Sequence, residues 1–158
     1  MEFQRVNATE PERFFMVVKN SYSTAALAAN QWVAWDNITD HDGVAVTKPG
    51  GELRASIAGV AVESIAAGDY GLIQVWGYRN GARCSGGSGL VTSKISAGTV
   101  LVCKTSGFAV QAMHDLSSAA VTYPYHLFPA GIGMVPANTA ADTTVATTWV
   151  GKVFVRCL

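Results

Sequence analysis

The stretch YGLIQVWGY, Tyr70 to Tyr78, limits what this chain can fold into more than any other part of it. Tyr70, Leu72, Gln74, Trp76 and Tyr78 fall on one side of a two-residue period, and Gly71, Ile73, Val75 and Gly77 fall on the other. Successive side chains of a β-strand point to opposite faces, so this is a strand pattern and not a helical one. The window Ser64–Gly81 around it holds four glycines. A phosphate-binding loop would place Lys and Ser or Thr after glycine at the start of a helix. No such pair stands in the window, and a strand follows Gly68. These glycines are backbone devices, and Asn80-Gly81 predicts a type I′ hairpin turn leading into a second strand.

The same reading extends along the chain. Phe14–Val18 is a short apolar run that suits a buried strand. Further strands are expected at Gln31–Trp35, Val44–Thr47, Ile57–Glu63, Leu90–Ser93, Thr99–Cys103, Gly107–Met113 and Trp149–Cys157. Asp42-Gly43, Pro49-Gly50-Gly51 and Ser106-Gly107 supply turns between them. Ala25–Ala29 and Ser117–Ala120 allow a helical turn or two. Many short strands with turn residues between them predict an all-β barrel or sandwich. One small echo recurs: Ile65-Ala66-Ala67-Gly68, Ile95-Ser96-Ala97-Gly98 and, more loosely, Leu27-Ala28-Ala29-Asn30. Each ends in a residue that tolerates left-handed backbone, and each precedes a strand. They read as one loop type used at three corners.

The 158 residues fit one domain with a real core. Met1–Arg13 is polar and broken by Pro11, so it reads as an extended arm before a single β domain over 14–158. Net charge is zero, so there is no basic footprint for nucleic acid. Charged residues make up 14%, against about 25% in typical soluble domains, and mean hydropathy is +0.24. So little charge points to surface that is covered in an oligomer or a larger assembly. The segment 116–141 has no charged residue and is rich in Pro and Gly. It is too broken and too polar to span a membrane. The opening residues have no apolar run of the kind a secretory signal carries.

Catalytic and metal motifs do not assemble. Asp36 to Pro49 has the spaced acids of a calcium loop, but Ile38 occupies the first ligand position and Pro49 the twelfth. Cys84–Leu90 has Leu90 where a nucleophile elbow needs glycine. His41, His114 and His126 have no zinc spacing, and Cys84, Cys103 and Cys157 form no CxxC pair. A Cys-His-Asp site built from Cys84 or Cys103 with His114-Asp115 stays open at this level. Of Trp32, Trp35, Trp76 and Trp149, three are expected in the core. No catalytic residue, metal ligand or cofactor is assigned, and the chain is read as a non-enzyme.

GVAVESIAAGDYGLIQVWG (Gly59–Gly77), RFFMVVKNSYSTAALAANQWVAWD (Arg13–Asp36) and WVGKVFVRCL at the end together resemble small structural proteins of tailed bacteriophages. The family is the head decoration, or cement, proteins of the lambda type. The resemblance implies a small β-tulip-like domain, a homotrimer on the outer surface of the expanded capsid, and the major capsid protein as partner, with assembly in the bacterial cytoplasm. It implies that the arm joins the capsid lattice, through Phe3, Arg5 and Val6 here. The uncharged segment, with Tyr123, Tyr125, Leu127 and Phe128, is the expected oligomer interface. A fibre or tail module that binds host glycans through Tyr78, Tyr123 and Tyr125 is the alternative.

Overall fold

The computed structural model describes residues 12–40, 42–50, 56–85, 95, 97–103, 108–112, 129–134 and 148–157. Its elements are all strands: β1 (Arg13–Asn20), β2 (Trp32–Trp35), β3 (Ala45–Thr47), β4 (Ile57–Ala61), β5 (Tyr70–Ser85), β6 (Val100–Cys103), β7 (Val110–Ala112), β8 (Gly131–Gly133) and β9 (Thr148–Arg156). The protein is all-β, as the alternation predicts. The expected strand at Leu90–Ser93 lies outside the described residues. β8 falls within the Pro/Gly-rich segment, where no strand was expected.

The strands form one sheet in the order β1-β3-β2-β4-β5-β7-β6-β8-β9, with further pairings β1–β5 and β5–β9. Those two pairings close the sheet into two five-membered rings that share β5. Closure gives most strands a neighbour on both sides, which is how β-proteins avoid exposed edges. Each ring has its own core. Val18, Val33, Val46, Ala58, Ile73 and Val75 pack in one. Ala82, Cys84, Leu101, Cys103, Val110, Val153 and Val155 pack in the other. β2 and β4 separate the two, with Trp32, Ala34, Ile57 and Val60 facing the second core and Val33 and Ala58 the first. Trp32 Nε1 is buried and meets no acceptor among the described residues. Trp35 and Trp76 are only half-buried.

β5 crosses from one ring to the other. Its first half pairs with β1 over Tyr70–Gly77, and its second with β9 over Trp76–Ser85. Ile73 and Val75 therefore enter the first core, and Ala82 and Cys84 the second. Two glycines with positive φ, Gly77 at 97° and Gly81 at 128°, make the crossing possible. A Cβ at Gly77 would press into the Glu12 carbonyl. Asn80-Gly81 is thus not the predicted hairpin turn. A type I′ turn needs positive φ at both central residues, and Asn80 does not have it. β9 pairs on both sides of the site, and the register slips between Asn80 and Ala82. The glycine forms a bulge that bends a continuous strand.

The three echoed segments each end in a left-handed residue. Asn30, Gly68 and Gly98 have φ of 69°, 85° and 82°. In the first two, the residue after the left-handed one donates its N–H three residues back: Gln31 to Ala28 at 3.2 Å and Asp69 to Ala66 at 3.1 Å. With φ positive only at the third position, these are type II turns. Leu27, Ile65 and Ile95, which open the three segments, are all buried.

Candidate interaction surface

β1 departs from the expected buried strand. Only Val18 and Asn20 are buried in it. Phe14, Phe15, Met16 and Val17 are 36%, 46%, 37% and 63% exposed. Adjacent strand residues point to opposite faces, so β1 is uncovered on both faces before Val18. The reason lies in its pairing. β3 meets β1 only at Lys19 and Asn20, so the ring closes around the last turn of the strand and leaves its first part outside. Five apolar residues in a row are compatible with burial on both faces, and equally with exposure on both.

Across β5 the strip continues. Val17 pairs with Leu72 and Lys19 with Tyr70; Tyr70 is 64% and Leu72 38% exposed. Phe15, Val17, Tyr70 and Leu72 form an apolar face on the outside of the first ring. Large apolar side chains gathered in one patch mark interaction surfaces better than scattered ones do.

Beneath this strip the crossing is braced by polar side chains. Gln74 is buried, and its Nε2 donates to the carbonyls of Trp76, Gly77 and Tyr78, each at 3.1 Å. Arg79 donates from Nη2 to Asn30 Oδ1 at 2.7 Å and to the Ala61 carbonyl at 2.9 Å. Its Nε reaches the Gly81 carbonyl at 3.0 Å. Burial draws the Arg79 pKa down, and the charge of Arg13 adds to that; arginine stays protonated in proteins regardless. The network uses Arg79 to hold backbone in place.

In the calcium-like loop, Asp36 accepts from Ser21 Oγ at 2.6 Å and from the hydroxyl and N–H of Thr39. Asp40 accepts from the N–H groups of Asp42 and Ala45 at 3.1 and 2.8 Å. Both carboxylates tie down their own loop. Among the described residues no group of three or more His, Cys, Asp or Glu is placed to hold a metal ion. Cys84 and Cys103 are buried in the second core. Burial pushes the Cys84 thiol up to about 12, far from the range of an activated nucleophile. Burial does the same to Cys157. Phe3, Arg5 and Val6 of the arm, Tyr123, Tyr125, Leu127 and Phe128 of the expected oligomer interface, and all three histidines lie outside the described residues.

Searches against protein-family models, curated proteins and solved structures give no match to this chain.

Proposed function

We propose that the chain is a structural virion protein that binds and stabilises the assembled, expanded head of a tailed bacteriophage. It would act as a non-enzymatic homotrimer on the outer capsid surface, with the major capsid protein as partner. The observation that carries this reading is the apolar strip of Phe15, Val17, Tyr70 and Leu72, outward-facing on a fold whose other strands are largely closed into rings. The low charge of the whole chain points the same way.

The mechanism is mass action. A protein that binds only the expanded shell stabilises that state by its own binding free energy. Contacts repeated around each capsomer junction add through avidity. Association would rest on apolar and backbone contact, because a chain of zero net charge offers little steering. In this reading Phe3, Arg5 and Val6 tether the arm to the lattice, and Tyr123, Tyr125, Leu127 and Phe128 join the subunits.

Co-sedimentation with decoration-free heads tests it. The protein is expected to pellet with expanded heads and not with unexpanded ones. Val17→Lys together with Leu72→Lys should abolish pelleting without altering the circular dichroism spectrum. Equal binding to both head forms, or binding to host-surface glycans with none to heads, would refute the proposal.

A further inference from the structure

We infer that the open edge of β1 at Phe15–Val17 is a strand-addition site, taking an extended segment of another protein chain that is uncharged at its centre. This rests on the reading above, and it names the form in which the partner meets the apolar strip.

The hydrogen-bond pattern fixes which way the backbone points. Leu72 gives its N–H to the Glu63 carboxylate at 3.1 Å, and its carbonyl accepts from the Val62 N–H at 3.0 Å. Both groups point toward β4 and away from β1. Val17, paired with Leu72, is therefore in a non-hydrogen-bonded pair, and its own N–H and C=O point to the opposite edge. The next turn of the same strand agrees. The Lys19 N–H reaches the Val44 carbonyl of the β3 side at 3.0 Å, while the Asn20 N–H turns the other way to Asp69 at 2.9 Å. Counting back by twos, Val17 and Phe15 present their backbone groups along the line that β3 occupies further on.

β3 does not fill that line. Its pairing with β1 starts at Lys19 and Ala45, and the chain before it turns away at Gly43, φ 71°, where Asp40 holds the Asp42 and Ala45 N–H groups. Among the described residues no strand lies opposite Phe15–Val17. The slot has a backbone row on one side, apolar side chains above and below it, and no charge between Arg13 and Lys19. An apolar patch alone accepts many shapes. A patch with a strand edge through its middle selects an extended peptide, uncharged at its centre, with acidic residues tolerated opposite the two cations.

The probe is a capped seven-residue peptide of alternating valine and threonine with glutamate at each end, added to the full-length protein. Hydrogen exchange of individual amides is read by NMR. In the free protein the Phe15 and Val17 amides are expected to exchange fast, while those of Met16 and Val18, bonded to β5, exchange slowly. With peptide at about ten times its Kd, exchange at Phe15 and Val17 should slow about tenfold, since only the unoccupied fraction exchanges. The same peptide methylated on the backbone nitrogens of its pairing edge should have no effect. Val17→Pro removes the outward N–H and should lose the response; where that variant does not fold, the methylated peptide still decides. Three results would overturn the inference: Phe15 and Val17 already protected in the free protein, no slowing at millimolar peptide, or equal slowing by the methylated peptide. None of these involves phage heads. A chain that takes the peptide but fails to pellet with heads refutes the proposed function and leaves the strand-addition site standing.

Discussion

Leu27 and Ile65 exchange both of their backbone hydrogen bonds: the Leu27 N–H donates to the Ile65 carbonyl at 2.9 Å, and the Ile65 N–H to the Leu27 carbonyl at 2.8 Å. Two copies of the same loop thus dock on each other at the end of the first core. Asn20, fully buried, clamps the pair by donating from Nδ2 to the Ile65 carbonyl at 2.9 Å. Gly71 leaves room for the Ile65 side chain, since a Cβ there would sit 2.5 Å from Ile65 Cγ1. Gly71→Ala is expected to cost about 1–3 kcal/mol by overpacking, and Ile65→Ala about 2–5 kcal/mol by leaving a cavity. The double variant should be clearly more stable than the sum of the two costs implies. Urea unfolding of the four proteins checks this.

The left-handed residues separate backbone strain from crowding. A Cβ at Gly68 or Gly98 would meet nothing within 4 Å among the described residues, so alanine there is expected to cost the unfavourable φ, about 1–2 kcal/mol. At Gly77 the same Cβ runs into the Glu12 carbonyl, and that backbone carries β1. Gly77→Ala should cost more than Gly68→Ala and should also raise amide exchange across β1. Equal costs at the two sites would contradict the account of the crossing.

What the sequence carried was local, and what it missed was long-range. The period of two at Tyr70–Tyr78 gave the strand because side-chain alternation is a property of the backbone. The echoed segments mark their left-handed fourth residues, Asn30, Gly68 and Gly98, because Gly and Asn tolerate that backbone locally. Asn80-Gly81 predicts a hairpin turn and forms a bulge, because the same dipeptide serves either; the choice is made by β9, far along the chain, whose pairing continues on both sides of the site. Phe14–Val18 predicts a strand but not its exposure, because exposure depends on how far β3 reaches along β1. The alternation does not mark the apolar strip for that reason. Half of it, Tyr70 and Leu72, shares one side of the period-two alternation with the buried Gln74.

Asp36 sets an acid limit on stability. Burial alone would raise its pKa, but hydrogen bonds from Ser21 and Thr39 outweigh this and the pKa is lowered. A carboxyl depressed in the folded state contributes stability above its unfolded pKa, about 3.9. That stability is lost as pH falls through the lower folded value. Unfolding free energy should therefore drop below about pH 4, and Asp36→Asn should flatten the drop while lowering stability at neutral pH. Urea titrations between pH 3 and 7 give the comparison.

The core thiols should be inert in the folded protein. With the pKa of Cys84 pushed up to about 12 by burial, iodoacetamide at pH 8 should leave it unmodified for as long as the fold persists. The same group ties stability to alkaline pH. A folded pKa above the unfolded value of about 8.5 gives stability that is complete below that value and is lost as pH rises toward the folded one. Mass spectrometry after native and urea-unfolded alkylation should show Cys84 labelled only in the second. Rapid native labelling would place the thiol at the surface and reopen a nucleophilic role.

Electron cryomicroscopy of phage heads with and without the protein bears most directly on the central claim. Added density is expected at the threefold and quasi-threefold points of the expanded shell, with the β1–β5 face of Phe15, Val17, Tyr70 and Leu72 turned against the capsid. Density confined to the tail or fibres, or a head surface identical in the two maps, would contradict it.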